Sequence, residues 1–253
     1  MLDFYEKDDN NYCSNPVGYV PTLAHRPSGL WASIFMYKLS QVTAFIDGFN
    51  LYHSLVDLGP ENNHLKWLNL WTLSQRYACM EGQKLTRVLY FSAYATWLPG
   101  PYYRHRAFVK ALQTQSVEFV PGRFKEKERS CKNCCKTWIG HEEKETDVNI
   151  AIHMLDEAYL DTFDHALLFS ADSDLSPVVR ILKTRFPKKQ IFIITPPRYE
   201  HSKELIKASG GYNFSRKIKV SHLENCLLPA TLSGKDGTLI QRPPEYNPPQ
   251  NNS

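Results

Sequence analysis

The chain has 253 residues and a formal net charge of +4, with 42% hydrophobic and 22% charged residues, as is usual for a globular protein. No apolar run approaches the ~20 residues of a membrane span, and the acidic first nine residues do not resemble a signal peptide. Six cysteines are too few for a secreted disulfide scaffold. We therefore expect a cytoplasmic protein with no membrane partner.

The amino-terminal residues, 1–40, have no sustained hydrophobic period and are predicted to form a loosely ordered extension. Met36 precedes the first strong strand and is an alternative start of translation. At the other end, residues 224–253 include five prolines and many polar residues, which favour a flexible tail. The domain itself is expected over residues 41–223.

Within the domain, short apolar strands alternate with segments of helical period. This alternation predicts an α/β fold with a parallel sheet of about five strands, covered by helices on both faces. The expected strand order is the common 3-2-1-4-5. Residues 122–141 form a polar, cysteine-bearing insert. The predicted strands are 42–46, 85–91, 117–120, 166–169 and 190–195, and the predicted helices are 50–58, 67–80, 102–115, 146–159, 175–185 and 202–208.

Four aspartates are expected at one edge of this sheet. Asp47 follows the first strand, and Asp172 and Asp174 follow the fourth, so all three lie where ligands bind in open parallel sheets. Asp147 is in the first turn of the helix that leads into the fourth strand. Because this helix runs antiparallel to the strand, its first turn lies at the same edge of the sheet. Three of the four have an ordinary alternative role, as a turn residue (Asp47), beside a helix dipole (Asp147) or as a helix cap (Asp174).

Clustered carboxylates repel each other unless a cation is present. Hard oxygen ligands favour Mg²⁺ or Mn²⁺ over zinc, and such a site suits an in-line displacement at phosphorus. The charge distribution agrees with a polyanionic substrate. Ten acids and one lysine lie between positions 140 and 175, whereas eleven bases and two acids lie between 175 and 223. Such blocks are also common on solvated surfaces.

Three motifs, in order, resemble those of NYN domains, the LabA-like branch of the PIN-like nuclease superfamily. They are Val42-Thr-Ala-Phe-Ile-Asp-Gly-Phe-Asn-Leu-Tyr, Glu142-Glu-Lys-Glu-Thr-Asp-Val-Asn-Ile-Ala and Phe169-Ser-Ala-Asp-Ser-Asp-Leu-Ser-Pro. The resemblance covers about residues 40–223 and implies a PIN-like three-layer fold.

The same resemblance implies that Asp47, Asp147, Asp172 and Asp174 form a catalytic, metal-binding acidic site. It also implies substrate-binding polar residues at Asn50 and at Ser170 or Ser173. Many members of that family have assigned or suspected ribonuclease activity, for which the resemblance implies a 5′-phosphate product, whereas others are known only as regulators.

The insert contains Cys131-Lys-Asn-Cys134-Cys135, and His141 follows six residues later. Together these residues offer up to four ligands for a structural zinc ion, although the spacing is unusual. Ordinary reduced cysteines and a redox switch are the alternatives.

Basic residues after the last acidic motif are the better candidates for RNA contact. They lie on and after the predicted helix 175–185. The alternating Lys and Glu residues of the insert are more typical of a solvated hairpin. The predicted RNA contacts are Arg180, Lys183, Lys188 and Lys189.

These observations predict a Mg²⁺- or Mn²⁺-dependent ribonuclease acting on single-stranded or structured RNA. The alternatives are a non-catalytic module that binds nucleic acid or protein, and a phosphatase-like hydrolase of small substrates. Whether the chain forms a homodimer stays open.

Overall fold

The computed structural model describes residues 39–78 and 82–249. The expected amino-terminal extension, including Met36, lies outside the described residues except for positions 39 and 40.

The central sheet has six strands, all parallel, in the order β3-β2-β1-β6-β7-β8. The mainly parallel α/β sheet and its strand order are therefore confirmed, with one strand more than expected. The added strand, β8, has only three residues and no apolar pattern. In chain order the strands are β1 (Ser40–Asp47), β2 (Gln83–Ser92), β3 (Glu118–Pro121), β4 (Arg123–Ser130), β5 (Thr137–Lys144), β6 (His165–Phe169), β7 (Gln190–Thr195), β8 (Ser215–Lys217), β9 (Thr231–Ser233) and β10 (Leu239–Gln241).

Helices cover both faces of the sheet and make three layers. In the described part of the chain, no helix is long and apolar enough to cross a membrane. The α-helices are α1 (Gly48–Val56), α2 (Leu70–Tyr77), α3 (Pro99–Thr114), α4 (Thr146–Tyr159), α5 (Ser176–Arg185), α6 (Lys203–Ser209) and α7 (Val220–Glu224), and the 3-10 helices are Pro60–Lys66, Ser173–Leu175, Tyr212–Phe214 and Pro244–Tyr246.

Strand β1 shows how the two core clusters form. Successive side chains of a strand point to opposite faces, so Ala44 and Ile46 pack with α1, α2 and α3, whereas Phe45 packs with α4, α5 and α6. All three side chains are fully buried. The continuous apolar run of β1 is thus explained by helices on both sides.

Helix α4 buries a different face from the one that its most obvious apolar stripe suggests. This stripe runs through Val148, Ile152, Leu155 and Tyr159. Leu155 packs, partly buried, against the core, but the other three side chains are each more than half exposed. The core contacts come instead from Ile150 and Met154, together with Ala158.

The carboxyl-terminal segment differs from the expected flexible tail. From residue 226 to 246 it packs against the α1–α3 side of the core, where Leu232, Ile240 and Tyr246 are buried. The indole nitrogen of Trp67 donates a hydrogen bond to the Pro229 carbonyl at 2.8 Å. The tail prediction is therefore wrong for residues 226–246, because the segment has few apolar residues but places them in grooves made by other elements.

The insert is an antiparallel hairpin of β4 and β5, with Arg123 opposite Lys144 and Ser130 opposite Thr137. Most of its side chains are exposed, and Glu142 forms ion pairs with Lys127 and Arg129. These contacts agree with the expectation of a solvated hairpin.

Candidate active site

Asp47 occupies the carboxyl end of β1 and caps α1. Its carboxylate accepts a hydrogen bond from the Asn50 backbone N–H at 3.0 Å and is 3% exposed. Helix α1 starts directly after it because Gly48 has no side chain. A Cβ atom there would lie 2.5 Å from the Phe91 carbonyl oxygen, a separation that real structures do not show.

Ser170, at the end of β6, ties Asp47 to the loop that carries the other aspartates. Its hydroxyl donates to the Asp47 carboxylate at 2.9 Å and accepts from the Asp172 N–H at 3.0 Å. Because Ser170 is fully buried, it positions Asp47 and cannot contact a substrate as predicted. Asn50 acts similarly, since its side-chain oxygen accepts from the Ala171 N–H at 2.9 Å.

The loop after β6 presents Asp172, Ser173 and Asp174 at the same edge of the sheet. The Asp172 carboxylate accepts from the Asp174 N–H at 2.9 Å and caps the 3-10 helix there. Asp174 does not cap α5, which has no side-chain cap, so that alternative role is wrong. Ser173 and Asp174 are exposed to solvent.

Asp147, in the first turn of α4, completes the group. Burial raises its pKa to about 6, and the charges of Asp172, Glu143 and Asp174 contribute. The pKa of Asp47 is raised to about 7, first by burial and then by the charges of Asp147 and Asp172, against hydrogen bonds from Asn50 and Ser170 that lower it. Asp147 therefore lies within electrostatic range of the other three aspartates.

The donor chemistry of this group fits a hard divalent cation, because carboxylate oxygens are the ligands that Mg²⁺ and Mn²⁺ prefer. In the described ranges, however, no three His, Cys, Asp or Glu side chains are placed to hold a metal ion by themselves. Mg²⁺ usually keeps several waters and takes only one or two carboxylates. The aspartates suit that mode of binding better than a closed protein cage.

Glu143 is a site residue that the sequence reasoning did not single out. Its carboxylate accepts hydrogen bonds from the backbone N–H and the hydroxyl of Thr146, and its charge acts on Asp147. Alternation along β5 carries a signal for it, because Glu143 and His141 share the face that points to the domain, whereas Glu142 pairs with lysines and Arg129 on the hairpin.

Two of the four predicted RNA contacts lie on a basic groove between α5 and α6. Arg180 and Lys183 line it together with Lys203 and Lys207, which the sequence reasoning did not name individually. Lys203 and Lys207 are four residues apart and so share one face of α6. Glu204 is the acidic residue of the groove.

Lys188 and Lys189 lie elsewhere, before the amino end of β7 and so at the opposite edge of the sheet from the aspartates. Lys189 is 6% exposed, and its ammonium group donates to Asp161 at 2.5 Å and to the Phe163 carbonyl at 2.6 Å. The prediction that Lys189 contacts RNA is therefore wrong, because a cation held in this way stabilises the fold.

The three cysteines of the insert occupy the tip of the hairpin, but His141 is not with them. His141 lies opposite Glu126 in the hairpin, four residues along β5 from Thr137, which forms the closing pair with Ser130. Its ring stacks on Trp97 with the ring centroids 3.6 Å apart. The expected set of Cys131, Cys134, Cys135 and His141 is not assembled, and the structure gives the zinc prediction no support. Hydrogen bonds from the backbone of Cys134 and Asn133 lower the pKa of the Cys131 thiol.

Comparison with known families agrees with this fold. The sequence profile described as "NYN domain" matches residues 41–215, well over half of the chain. The chain therefore belongs to the NYN domain family, within the PIN-like nuclease superfamily.

Among solved structures, the chain is similar to a Vibrio parahaemolyticus protein of unknown function. The two are 19% identical with a TM-score of 0.48, over 76% of this chain and 98% of the other. No curated protein matches the chain.

Proposed function

We propose that this protein is a Mg²⁺- or Mn²⁺-dependent ribonuclease that hydrolyses RNA phosphodiesters at Asp47, Asp147, Asp172 and Asp174. The observation that carries the proposal is the grouping of these carboxylates at one edge of the sheet, where burial, and to a lesser degree their mutual repulsion, raises the pKa values of Asp47 and Asp147. A bound divalent cation would relieve that repulsion and, when present, would supply an activated water for attack at phosphorus.

The protein's own residues have distinct roles in this proposal. The Ser170 hydroxyl links the Asp47 carboxylate to the backbone N–H of Asp172, and Asp147 and the exposed Asp174 complete the acidic group. RNA would approach along the basic groove of Arg180, Lys183, Lys203 and Lys207, where cations meet phosphates. Ser173, which is exposed on the same loop as Asp172, would contact the RNA backbone.

We also propose that the protein belongs to the LabA-like branch of the family and that it is cytoplasmic. The run from Asp47 to Tyr52 supports the LabA-like branch of the family. In the described residues all four cysteines are free, which is usual for proteins of a reducing compartment such as the cytoplasm.

A second candidate is a non-catalytic module that keeps the fold and binds RNA or protein. It is favoured by the lack, in the described residues, of three side chains already placed to hold a metal. The two candidates differ in whether RNA is cleaved, so one assay separates them.

The test is cleavage of mixed RNAs by the full chain with Mn²⁺, Mg²⁺ or EDTA. We expect cleavage with either metal and none in EDTA. Asp172→Asn should lower kcat by roughly 100-fold or more, which is typical when a group that stabilises transition-state charge is removed. Its fold should persist, because asparagine also caps the 3-10 helix.

Asp156→Asn, on an exposed position of α4, is the matched control and should cleave at the wild-type rate. Full activity of Asp172→Asn would refute the proposed site. RNA binding without cleavage under all three conditions would favour the second candidate.

A further inference from the structure

A partly open cavity of about 530 Å³ lies beside the aspartates. This volume is within the range of about 300–1,000 Å³ that is usual for small-ligand sites. Gly48, which directly follows Asp47, lines the cavity, and so does Glu143, whose charge acts on Asp147. The cavity therefore adjoins the carboxylates.

Aromatic side chains dominate the lining of this cavity. Trp97 and Phe124 meet edge to face with ring centroids 4.6 Å apart, and Phe49 packs edge to face on Phe124 at 5.6 Å. His141 stacks on Trp97 and fixes its orientation. Rings of this kind are what proteins use to stack the bases of single-stranded nucleic acid, whatever the sequence.

Two cations, Lys66 and Arg104, line the same cavity. Burial and then the charge of Arg104 lower the pKa of Lys66, so the two groups lie close enough to repel each other. Lys66 donates to the Asn63 side chain at 2.6 Å, and Arg104 donates to Glu245, which is half exposed, at 2.9 Å. A pair of like charges in a partly buried site suits an anionic ligand such as a phosphate.

We propose that this cavity binds one nucleotide of the RNA, the one next to the cleaved bond. Its base would lie among the aromatic rings, and its phosphate on the side away from the cleaved bond would contact Lys66 and Arg104. The assignment to RNA rests on the proposed function, whereas the nucleotide chemistry rests on the rings and cations of the cavity. The remaining charged group of its lining, Glu143, belongs to the carboxylate side.

The first test measures binding of nucleosides and nucleoside monophosphates to the full chain in EDTA, by calorimetry. We expect the monophosphates to bind roughly tenfold more tightly than the nucleosides, since a phosphate adds charge-assisted hydrogen bonds. Lys66→Gln should remove most of that difference. Trp97→Ala should weaken both kinds of ligand roughly tenfold, as the loss of one stacking contact does.

Two variants that keep the chemistry but lie outside the cavity are the matched controls. Trp138→Ala removes an exposed tryptophan near the hairpin tip, and Lys110→Gln removes an exposed lysine from α3, the helix of Arg104. Both should bind like the wild type. Should Trp97→Ala fail to fold, Lys66→Gln still decides, because a partly exposed lysine is replaced by a polar residue of similar length. No saturable binding below about 10 mM, or equal binding by Lys66→Gln, would overturn the inference.

A second arm distinguishes a free nucleotide from a nucleotide within RNA. The same variants are titrated with a short RNA in EDTA, and their KM for cleavage is measured with Mn²⁺. A parallel loss of affinity for RNA supports the proposal, whereas weakening confined to the mononucleotide would overturn the assignment to substrate. Because the first test needs neither metal nor cleavage, an inactive protein that still binds nucleotides would refute the proposed function alone.

Discussion

Asp47 is both the cap of a helix and a buried member of a carboxylate group, and these two roles have opposite effects on the free energy of ionising its side chain. As the cap of α1 it accepts a hydrogen bond that favours the ionised carboxylate, yet its burial and the neighbouring Asp147 and Asp172 disfavour ionisation. Ser170 adds a second hydrogen bond, but the pKa stays raised. The fold thus holds a carboxylate whose charge is poorly compensated by the protein itself, which is what a cation-binding group requires.

This arrangement predicts that ionisation of Asp47 destabilises the metal-free protein as the pH rises. The unfolded carboxyl has a pKa of about 3.9, whereas the folded Asp47 has a pKa of about 7, so the folded state binds more protons between these values. The contribution of Asp47 to the free energy of unfolding, seen as the difference between the wild type and Asp47→Asn, should therefore fall from about pH 4 to pH 7 and level off above, by at most roughly 4 kcal/mol. Urea unfolding in EDTA from pH 4.5 to 8.5 measures it.

Asp47→Asn should remove the contribution of Asp47 to the pH dependence of the free energy of unfolding. The variant should be more stable than the wild type at pH 8. The asparagine oxygen can still accept the Asn50 N–H, while the uncompensated charge is gone. The exposed Asp156→Asn variant should keep the wild-type profile. A stability difference between Asp47→Asn and the wild type that does not grow in favour of the variant between pH 5 and 7 would contradict the raised pKa of Asp47.

At the scale of the elements, the hairpin of β4 and β5 divides into two functional parts. Its base contributes Phe124, His141 and Glu143 to the cavity beside the aspartates. Its tip contains the cysteines, and the two backbone hydrogen bonds there, from Cys131 to Lys136 and from Cys135 to Cys131, are internal to the tip. We infer that the base matters for the site and that the tip does not.

Replacing residues 131–136 with Asn-Gly tests this division. Ser130 and Thr137 form the closing pair, and Asn-Gly is the preferred two-residue turn for such a pair. We expect the free energy of unfolding to stay within about 0.5 kcal/mol of the wild type, as for other exposed substitutions, and cleavage to be unchanged. Elemental analysis of the wild type for zinc, with the melting temperature of both proteins, provides the measurement.

His141→Ala, on the same strand but stacked on Trp97, is the comparison variant and should be less stable. If the shortened hairpin instead melts far below the wild type and the wild type contains one zinc per chain, the cysteines have a structural role after all.

The elements themselves could largely be predicted, because buried parallel strands and amphipathic helices have strong local periods. The positions of Asp47 and Asp172 followed from the same reasoning, since strand ends locate side chains along the sheet edge. Lys189 could not be placed in this way. Its burial depends on Asp161 and the Phe163 carbonyl, which follow α4 and become its neighbours only in the folded chain.

Composition was a poor guide at the carboxyl terminus for a related reason. Residues 229–249 are rich in proline and polar residues, yet Leu232, Ile240 and Tyr246 are buried against α3 and its neighbours. Their spacing fits neither a helix nor a long strand. Only the grooves offered by the rest of the molecule explain why these three side chains are held.

At the scale of the whole molecule, residues 229–249 pack across the side of the domain formed by α1, α2 and α3, and they also border the cavity. Tyr246 lines the cavity, and Glu245 pairs with Arg104 beside it. Truncation after Leu228 would remove three buried side chains worth about 1.5–3 kcal/mol each, as well as the hydrogen bond to Trp67. Since small domains are stable by only about 5–15 kcal/mol, we expect the truncated chain to be largely unfolded, as circular dichroism and thermal melting would report.

Truncation after Asn247 is the matched control, because Pro248 and Pro249 are exposed. It should melt like the full chain and keep cleavage and nucleotide binding. Ile240→Ala and Tyr246→Ala give a graded version, each expected to cost about 2–5 kcal/mol as buried truncations do. Tyr246→Ala should in addition weaken nucleotide binding, since Tyr246 lines the cavity, whereas Ile240→Ala should affect stability alone. A chain truncated after Leu228 that melts like the full protein would show that the residues after Leu228 contribute nothing to the stability of the fold.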